Sequence, residues 1–473
     1  MFHETDLDAF ATSDPREVYP VVRECPSDMV TPVGAALRLF TPGEPCFLLE
    51  SAEGGDTVGR FSMLGLRPVA SIGKYGESLD DLRTFLAAHR VAKVSVPEAL
   101  PAGAVGYLSY DAVRLWESVD DRHADKPTPS YLFHHFRDIV VFDHLKQRLY
   151  FVTLTPSGAP RTTEEFARAQ ARLDKLEQAI ETPLPVRRHK HATGEEPAVR
   201  AVPNDETFRG MVEEAKKHIE AGEIEQVVLS RTFETTFEGD PLNLYRALRM
   251  INPSPFMFYL HMGDHVAVGA SPEDLVRVQG RRVETLPIAG TRRRGKTDAE
   301  DEALAADLLA DPKEVSEHEM LIDLAMEDIG KVCTADSVVV EKRMFVEKFS
   351  HVIHLVSRVA GEKREDADEI DALCACFPAG TVSGAPKITA MNLIDKMECT
   401  ARGFYAGSVV YFDGRGNLDS CIAIRSLLLR DGKVTVRAGA GIVAASEPAS
   451  EEAETRNKAA GTLAALKLAQ QLV

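Results

Sequence analysis

Phe256-Met-Phe-Tyr-Leu-His261, His265-Val-Ala-Val-Gly269, Leu275-Val-Arg-Val-Gln279 and Arg282-Val-Glu-Thr-Leu286 are four short runs rich in β-branched and aromatic residues, with only short segments between them. Such runs predict consecutive strands joined by tight connections. The pattern then changes. Helical spacing predicts long helices over about 298–311 and 313–333, and shorter ones over 350–360, 366–375 and 384–397. Strand runs kept apart from helix runs predict an α+β fold with antiparallel sheets, not strict βαβ alternation.

Working outward towards the C-terminus, strands at Gly407–Phe412, Cys421–Leu429 and Lys433–Ala438 precede a last helix over 450–471. Towards the N-terminus lie a helix from Phe208 to Ala221 closed by Gly222, a strand Ile224–Ser230 and a helix Pro241–Ile251. The first part of the chain mixes both types. Pro45–Ser51 and Arg60–Gly65 read as strands around a Glu53-Gly-Gly-Asp56 turn, and Val140–Asp143 with Leu149–Leu154 as a hairpin. Thr163 to Ile180 carries helical spacing behind a threonine cap. Residues 182–204 hold four prolines and the basic cluster Arg187-Arg-His-Lys-His191, with almost no apolar pattern. That composition predicts an exposed linker or a long surface loop between an N-terminal part, 15–181, and a second part, 205–473.

A chain of 473 residues is long enough for more than one ordinary domain. Its 55 Lys+Arg against 73 Asp+Glu leave a net charge of −18, which argues against nucleic acid and anionic membranes as partners. No apolar run approaches the ~18 residues needed to span a bilayer. The seven cysteines are scattered, and Cys374 and Cys376 form a lone C-x-C without a second pair. Free thiols in a reducing, cytoplasmic compartment are expected.

Gly290-Thr-Arg-Arg-Arg-Gly-Lys-Thr297 matches a phosphate-binding loop pattern. Three consecutive arginines would crowd such a loop, and Pro287 interrupts the strand that should feed it. The segment is read as a basic loop after a strand.

Two carboxylate pairs stand out. Glu314 and Glu317 lie three apart at a helix start, and Glu451 and Glu454 repeat the spacing at the start of the last helix. Each pair shares one helix face, where like charges repel and want a cation or solvent. Acids in a first turn also suit the helix dipole, so either pair alone could be a solvated face. Facing each other, the pairs would form a hard oxygen site suited to Mg²⁺. Arg425 lies inside an apolar strand run, Lys458 follows Glu454 by one turn, and Arg437-Ala-Gly-Ala-Gly-Ile-Val443 puts glycines in a strand. Together these features describe a Mg²⁺-dependent site for a small carboxylic acid.

At these residues the chain resembles the chorismate-utilising enzymes and, among them, the large components of anthranilate synthases. The likeness covers nearly the whole chain. It rests on Leu48-Leu-Glu-Ser51, Gly59-Arg-Phe-Ser62, Asn252-Pro-Ser-Pro-Phe-Met257, Ser271-Pro-Glu273, Pro287-Ile-Ala-Gly-Thr291, Ser316-Glu-His318, His351 to Arg358, Gly380 to Lys387, Asp419 to Arg425 and Glu454-Thr-Arg-Asn-Lys458. The resemblance implies antiparallel sheets packed face to face with helices on the outer faces, a regulatory N-terminal region and a chorismate-binding C-terminal one.

Relatives that add water to chorismate resemble this chain but carry a lysine base where Gln226 stands, and an amide cannot act as that base. Aminodeoxychorismate synthases carry a proposed lysine nucleophile where this chain has Ala289. Both differences point to ammonia as attacking group and anthranilate as product. Aminodeoxychorismate synthase and a non-catalytic subunit that binds chorismate or tryptophan are the alternatives.

By resemblance, Glu317 and Glu454 would ligate Mg²⁺ with Glu314 and Glu451 nearby. Gly290, Thr291 and Lys458 would help hold the ring carboxylate. Arg425, Tyr405 and the backbone around Gly439 and Gly441 would clamp the enolpyruvyl carboxylate. His354 and Glu273 would be the candidate acids, with Thr381 supporting. His351 and His354 are expected in an apolar helix, where a histidine is often only packed. Leu49, Glu50, Ser51, Pro255, Phe256, Met257, Val409, Tyr411 and Cys421 correspond to a feedback pocket for tryptophan. Phe61 and Phe256 stand where a tyrosine is common; the first is expected to matter little and the second to alter inhibitor contacts. No cysteine lies on a tight glycine-rich turn, so ammonia is expected from a separate glutamine amidotransferase subunit, in a heterotetramer of two large and two small subunits.

Overall fold

The computed structural model describes residues 2–51, 59–73, 78–95, 97–184, 198–348 and 352–472; the side chains of Thr291 and Val352 are outside that description. The Glu53–Asp56 turn, the Arg187–His191 cluster and His351 lie outside the described residues.

Alternation along the strands decides the architecture. In Cys46–Glu50, Leu48 faces one buried cluster and Phe47 another. In Phe256–His261, Met257 and Tyr259 oppose Phe258 and Leu260 in the same way. A strand that is apolar on both faces belongs inside a layered structure.

Among the described residues the strands form two arms, and the ladders between them are antiparallel. One arm runs from Tyr19–Pro26 through Arg148–Thr155, Tyr131–Asp143, Phe61–Ile72, Cys46–Glu50, Phe256–His261, Val266–Ser271, Ser426–Arg430 and Lys433–Ile442 to Gln226–Thr236. The other leaves Tyr131–Asp143 through Ala104–Leu108, Ser408–Phe412, Leu418–Ile422, Asp274–Gln279 and Arg282–Thr285 to Val352–Glu362. That last strand also pairs with Ile288–Arg293 and Val339–Lys348.

Phe47, Phe258, Leu260 and Ala267 of the first arm meet Tyr107, Val409 and Cys421 of the second in one buried cluster, so the arms pack face to face. Helices cover the outer faces. Pro32–Leu39, Thr163–Glu181, Pro241–Ile251 and Pro448–Ala469 pack on the first arm. Pro312–Gly330 and Glu369–Cys376 pack on the second, and Lys387–Met397 packs on Gln226–Thr236 at the end of the first. This is the α+β, face-to-face arrangement expected from the sequence. The parts on either side of the expected linker share both arms, since Cys46–Glu50 pairs with Phe256–His261 and Ala104–Leu108 with Ser408–Phe412.

Three expectations need correction. The helix over 350–360 is the strand Val352–Glu362: its β-branched residues suit an interior strand whose faces are both buried. The strand Cys421–Leu429 is two strands, Leu418–Ile422 in one arm and Ser426–Arg430 in the other. The chain crosses between layers at Ala423–Arg425, with Arg425 at a left-handed φ of 51°. Within the span read as a linker, Arg200–Val202 pairs with Thr232–Glu234. The arginine-rich segment is no phosphate cradle. Its Gly295 N–H donates to Asp301 at 2.7 Å, and Arg292 is paired with Asp307, Asp311 and Glu314.

No helix among the described residues is long and apolar enough to cross a membrane, and all seven cysteines are free.

A buried ionic network pins the strands that floor the site described below. Glu398 accepts from Arg402 at 2.7 Å, from Arg437 at 2.5 Å and from the Ser230 N–H at 2.7 Å. Arg402 also donates to the carbonyls of Val382 and Val228, both at 2.6 Å. Removing the carboxylate leaves two buried guanidinium groups uncompensated. Glu398→Ala is therefore expected to lower the unfolding free energy by about 3–5 kcal/mol in urea titration; a loss below ~1 kcal/mol would deny the network a structural role.

Candidate active site

Lys433–Ile442 supplies the floor, and its glycines are there for space. A Cβ on Gly439 would lie 2.7 Å from the Tyr405 hydroxyl and 2.9 Å from the Leu229 carbonyl. A Cβ on Gly441 would lie 2.9 Å from Gln226 Nε2. The strand thus lets Tyr405 and Gln226 approach the backbone closely.

Arg425 stands at the crossing between the two arms. Its Nη1 donates to the Lys458 carbonyl at 3.2 Å, and among the described residues no carboxylate lies within ion-pair distance of it. Burial pushes its guanidinium pKa down, opposed by Tyr405, Glu454 and Glu273. A partly buried cation so placed is suited to an incoming anion. Lys458 lies beside it, with Nζ 2.6 Å from Glu454 and donating to the Gly439 carbonyl at 3.1 Å.

On the facing side, Thr381 Oγ1 donates to Glu273 Oε1 at 2.7 Å. Burial pushes the Glu273 carboxyl up to about 7, against the lowering effects of Thr381, Lys458 and Arg425. A carboxyl at that value can give up a proton near neutrality.

His354 lies opposite Thr291 in the ladder between Val352–Glu362 and Ile288–Arg293. Its Nδ1 is 2.9 Å from the Gly290 carbonyl. A carbonyl only accepts, so the ring proton is on Nδ1. Gly290 adopts a φ of 63° where the register shifts between Ala289 and Thr291. A Cβ there would meet Glu314 Oε2 at 3.0 Å.

The two glutamate pairs share one electrostatic environment. Glu317 is pushed up by burial and by the charges of Glu314 and Glu454, and Glu451 by burial and by Glu454. Carboxylates that raise one another in this way are short of cations. Arg292 reaches Glu314 at 3.2 Å from outside. Among the described residues no three His, Cys, Asp or Glu side chains converge as a closed cage. Mg²⁺ ordinarily takes one or two carboxylates and keeps water and ligand oxygens, so this donor set fits it.

The structure therefore gathers His354, Gly290, Glu314, Glu317, Glu451, Glu454, Lys458, Gly439, Gly441, Tyr405, Arg425, Glu273 and Thr381 around one site, with the Thr291 backbone in the same ladder. A second cavity, between the arms, is lined by all nine residues read as a feedback pocket: Leu49, Glu50, Ser51, Pro255, Phe256, Met257, Val409, Tyr411 and Cys421. Glu50 is held from the wall side by the Tyr245 hydroxyl and by Arg249 at 3.2 Å.

Sequence reasoning missed Arg277 and Asp419, which line that second cavity and pair at 3.0 Å, and Asp274, buried beside Glu273. Their one signal was charge inside apolar strand runs. It also missed the Glu398 network, whose partners are far apart in the chain.

The perturbed Glu273 carboxyl has a measurable consequence. Its native pKa of about 7 exceeds the ordinary 4.5, so the native state holds the proton more tightly and stability falls as pH rises between those values. Glu273→Gln is expected to gain about 1–3 kcal/mol relative to the parent between about pH 5 and pH 8 in urea titrations. A difference flat with pH would remove the perturbed carboxyl from the description.

Comparison with known proteins agrees with this geometry. The family model for chorismate binding enzyme matches residues 44–464. The chain is 39% identical to anthranilate synthase component 1 of Acetivibrio thermocellus over 500 aligned residues, covering 100% of both chains. It is 42% identical to that of Aquifex aeolicus, covering 97% of each. The crystal structure of anthranilate synthase component I from Streptococcus pneumoniae superposes with a TM-score of 0.78 at 34% identity, over 93% of this chain and 99% of that one. The menaquinone-specific isochorismate synthase of Escherichia coli shares the fold, with a TM-score of 0.71 at 22% identity over 97% of each chain. The chain belongs to the chorismate-binding enzymes and, within them, to the anthranilate synthase component 1 family.

Proposed function

We propose that this chain converts chorismate and ammonia to anthranilate, pyruvate and water in a Mg²⁺-dependent reaction that supplies tryptophan synthesis. The observation that carries the reading is Arg425, a partly buried guanidinium without a carboxylate partner among the described residues, set beside Lys458 and opposite Glu273. Chorismate brings two carboxylates, one for the arginine fork and one for the glutamate side of the site.

Arg425 and Tyr405, over Gly439 and Gly441, orient the enolpyruvyl carboxylate. Gly290, Thr291 and Lys458 orient the ring carboxylate. Glu317 and Glu454 would hold Mg²⁺, with Glu314 and Glu451 as outer or water-mediated partners. When bound, the ion supplies Lewis-acid polarisation and a template for the ring carboxylate. Ammonia adds at the ring carbon next to the one bearing the carboxylate, and the ring hydroxyl leaves as water after protonation. Glu273, held by Thr381, and His354, oriented by the Gly290 carbonyl, are the candidate proton donors. Loss of pyruvate then restores aromaticity.

Two residues support this reading over its neighbours. Gln226 lies against Gly441, where its amide offers no base to activate water. Ala289, buried in the strand before Gly290, offers no nucleophile of the aminodeoxychorismate synthase kind. Ammonia would come from a separate glutaminase subunit in a cytoplasmic heterotetramer of two large and two small subunits.

The cavity between the arms is read as a tryptophan feedback site. Pro255, Phe256 and Met257 offer an apolar slot, and Glu50 and Ser51 polar contacts. Asp419 Oδ1 is buried and has no hydrogen-bond partner among the described residues, which gives an α-ammonium an acceptor. The cavity draws its walls from both sides of the 182–204 segment, so the N-terminal part, 15–181, would act as the regulatory region.

Purified chain given chorismate, Mg²⁺ and ammonium at alkaline pH is expected to form fluorescent anthranilate without a separate lyase, and to stop on chelation. Intact chorismate binding with no product would favour a non-catalytic regulator instead. His354→Ala is expected to lower turnover by about 10²–10⁴-fold with chorismate affinity kept; unchanged turnover removes it from the mechanism. Tryptophan is expected to inhibit the parent enzyme, and full activity in saturating tryptophan would refute the feedback site.

A further inference from the structure

The four site glutamates stand near the starts of two helices, Pro312–Gly330 and Pro448–Ala469. Burial, and then the charges of Glu314 and Glu454, raise Glu317. The same like charges push the two helix starts apart. In the first helix the residue after Glu317 is His318, which is fully buried, as is Ser357. His318 Nε2 lies 2.7 Å from Ser357 Oγ. Ser357 Oγ also accepts from the Met344 N–H at 2.8 Å, and the Ser357 N–H donates to the Pro287 carbonyl at 3.1 Å. Ser357 stands three residues beyond His354 in Val352–Glu362, and Pro287 three before Gly290. The bond therefore ties the helix of Glu314 and Glu317 to the strands that carry His354 and Gly290.

The second helix is anchored in a similar way. Glu452 and Thr455 each follow a site glutamate and are buried, where the fully buried Arg231 meets them. Arg231 Nε donates to Thr455 Oγ1 at 2.8 Å, Nη2 to the Glu452 carboxylate, and Nη1 to Asp205 at 2.6 Å. Successive residues on a helix are rotated by ~100°, so a site carboxylate and the anchor beside it face different ways. His318 is not explained by packing. Its Nδ1 is buried and has no hydrogen-bond partner among the described residues. An apolar side chain of similar size would fill the space without an unsatisfied nitrogen, which costs stability. A residue that breaks this rule beside a functional site points to a use for the one bond its ring does make.

We propose that His318 is a positioning residue, whose hydrogen bond to Ser357 holds Glu317 against its repulsion from Glu314 and Glu454, so that the cation site is formed before an ion arrives. It rests on the reading of the four glutamates as a Mg²⁺ site. A helix start free to back away would have to be drawn in again on binding, at a cost in metal affinity.

The test is Mn²⁺ binding, followed by the electron paramagnetic resonance of the free ion, with chorismate present and ammonium withheld. Wild type is measured first: if it binds no Mn²⁺ that Mg²⁺ displaces, the metal reading fails and the positioning role with it. Given binding, His318→Leu is expected to raise the Mn²⁺ dissociation constant about tenfold or more, with the urea midpoint of unfolding kept. Ser357→Ala removes the same bond from the strand side and is expected to raise the constant by about tenfold as well. It decides alone if His318→Leu does not fold. A constant within about twofold of wild type in either folded variant overturns the role and leaves the Mg²⁺ site standing.

Discussion

A guanidinium held where the chain crosses from one sheet layer to the other organises the rest of the site. Leu418–Ile422 belongs to one arm and Ser426–Arg430 to the other, so the backbone must turn sharply between them. Arg425 makes that turn at positive φ. Burial disfavours its charge, and the Lys458 carbonyl compensates only in part. The opposing acids, Glu273 and Glu454, act on it through space without pairing with it. That imbalance makes the site a receptor for an anion.

The opposite imbalance lies nearby. Glu314, Glu317, Glu451 and Glu454 come from the starts of two helices that are far apart in the chain, and Glu317 and Glu451 are raised by burial and then by charges like their own. Excess negative charge on one side and a poorly compensated cation on the other are what the proposed dicarboxylate and divalent ion would balance. The net charge of −18 is no obstacle to such a ligand, because the local field is set by a few groups within a few ångströms of one another.

Much of this was legible in the sequence, and particular elements show why. Cys46–Glu50 and Phe256–His261 were readable because β-branched and aromatic runs bounded by turn residues have few alternatives. The helix carrying Glu314 and Glu317 announced itself by length and spacing. Val352–Glu362 was misread because Leu355, Val356 and Val359 satisfy a helical stripe as well as a strand buried on both faces. The break at Arg425 was invisible because Cys421 to Leu429 is apolar throughout apart from that residue and Ser426. Asp274 was missed because an acid at a strand start looks like ordinary solvent-facing polarity.

Residue type and spacing by themselves determined that paired acids sit one helical face apart, that glycines interrupt a strand, that no lysine stands at Gln226 or Ala289, and that the strands are antiparallel. Only the tertiary structure decided that Glu273 meets Thr381, that Gly290 holds His354 while its space admits Glu314, and that two separated segments wall one cavity between the arms. The reason is physical. Local conformation follows from neighbours along the chain, whereas charge coupling and desolvation depend on distance and burial, which are properties of the packed layers.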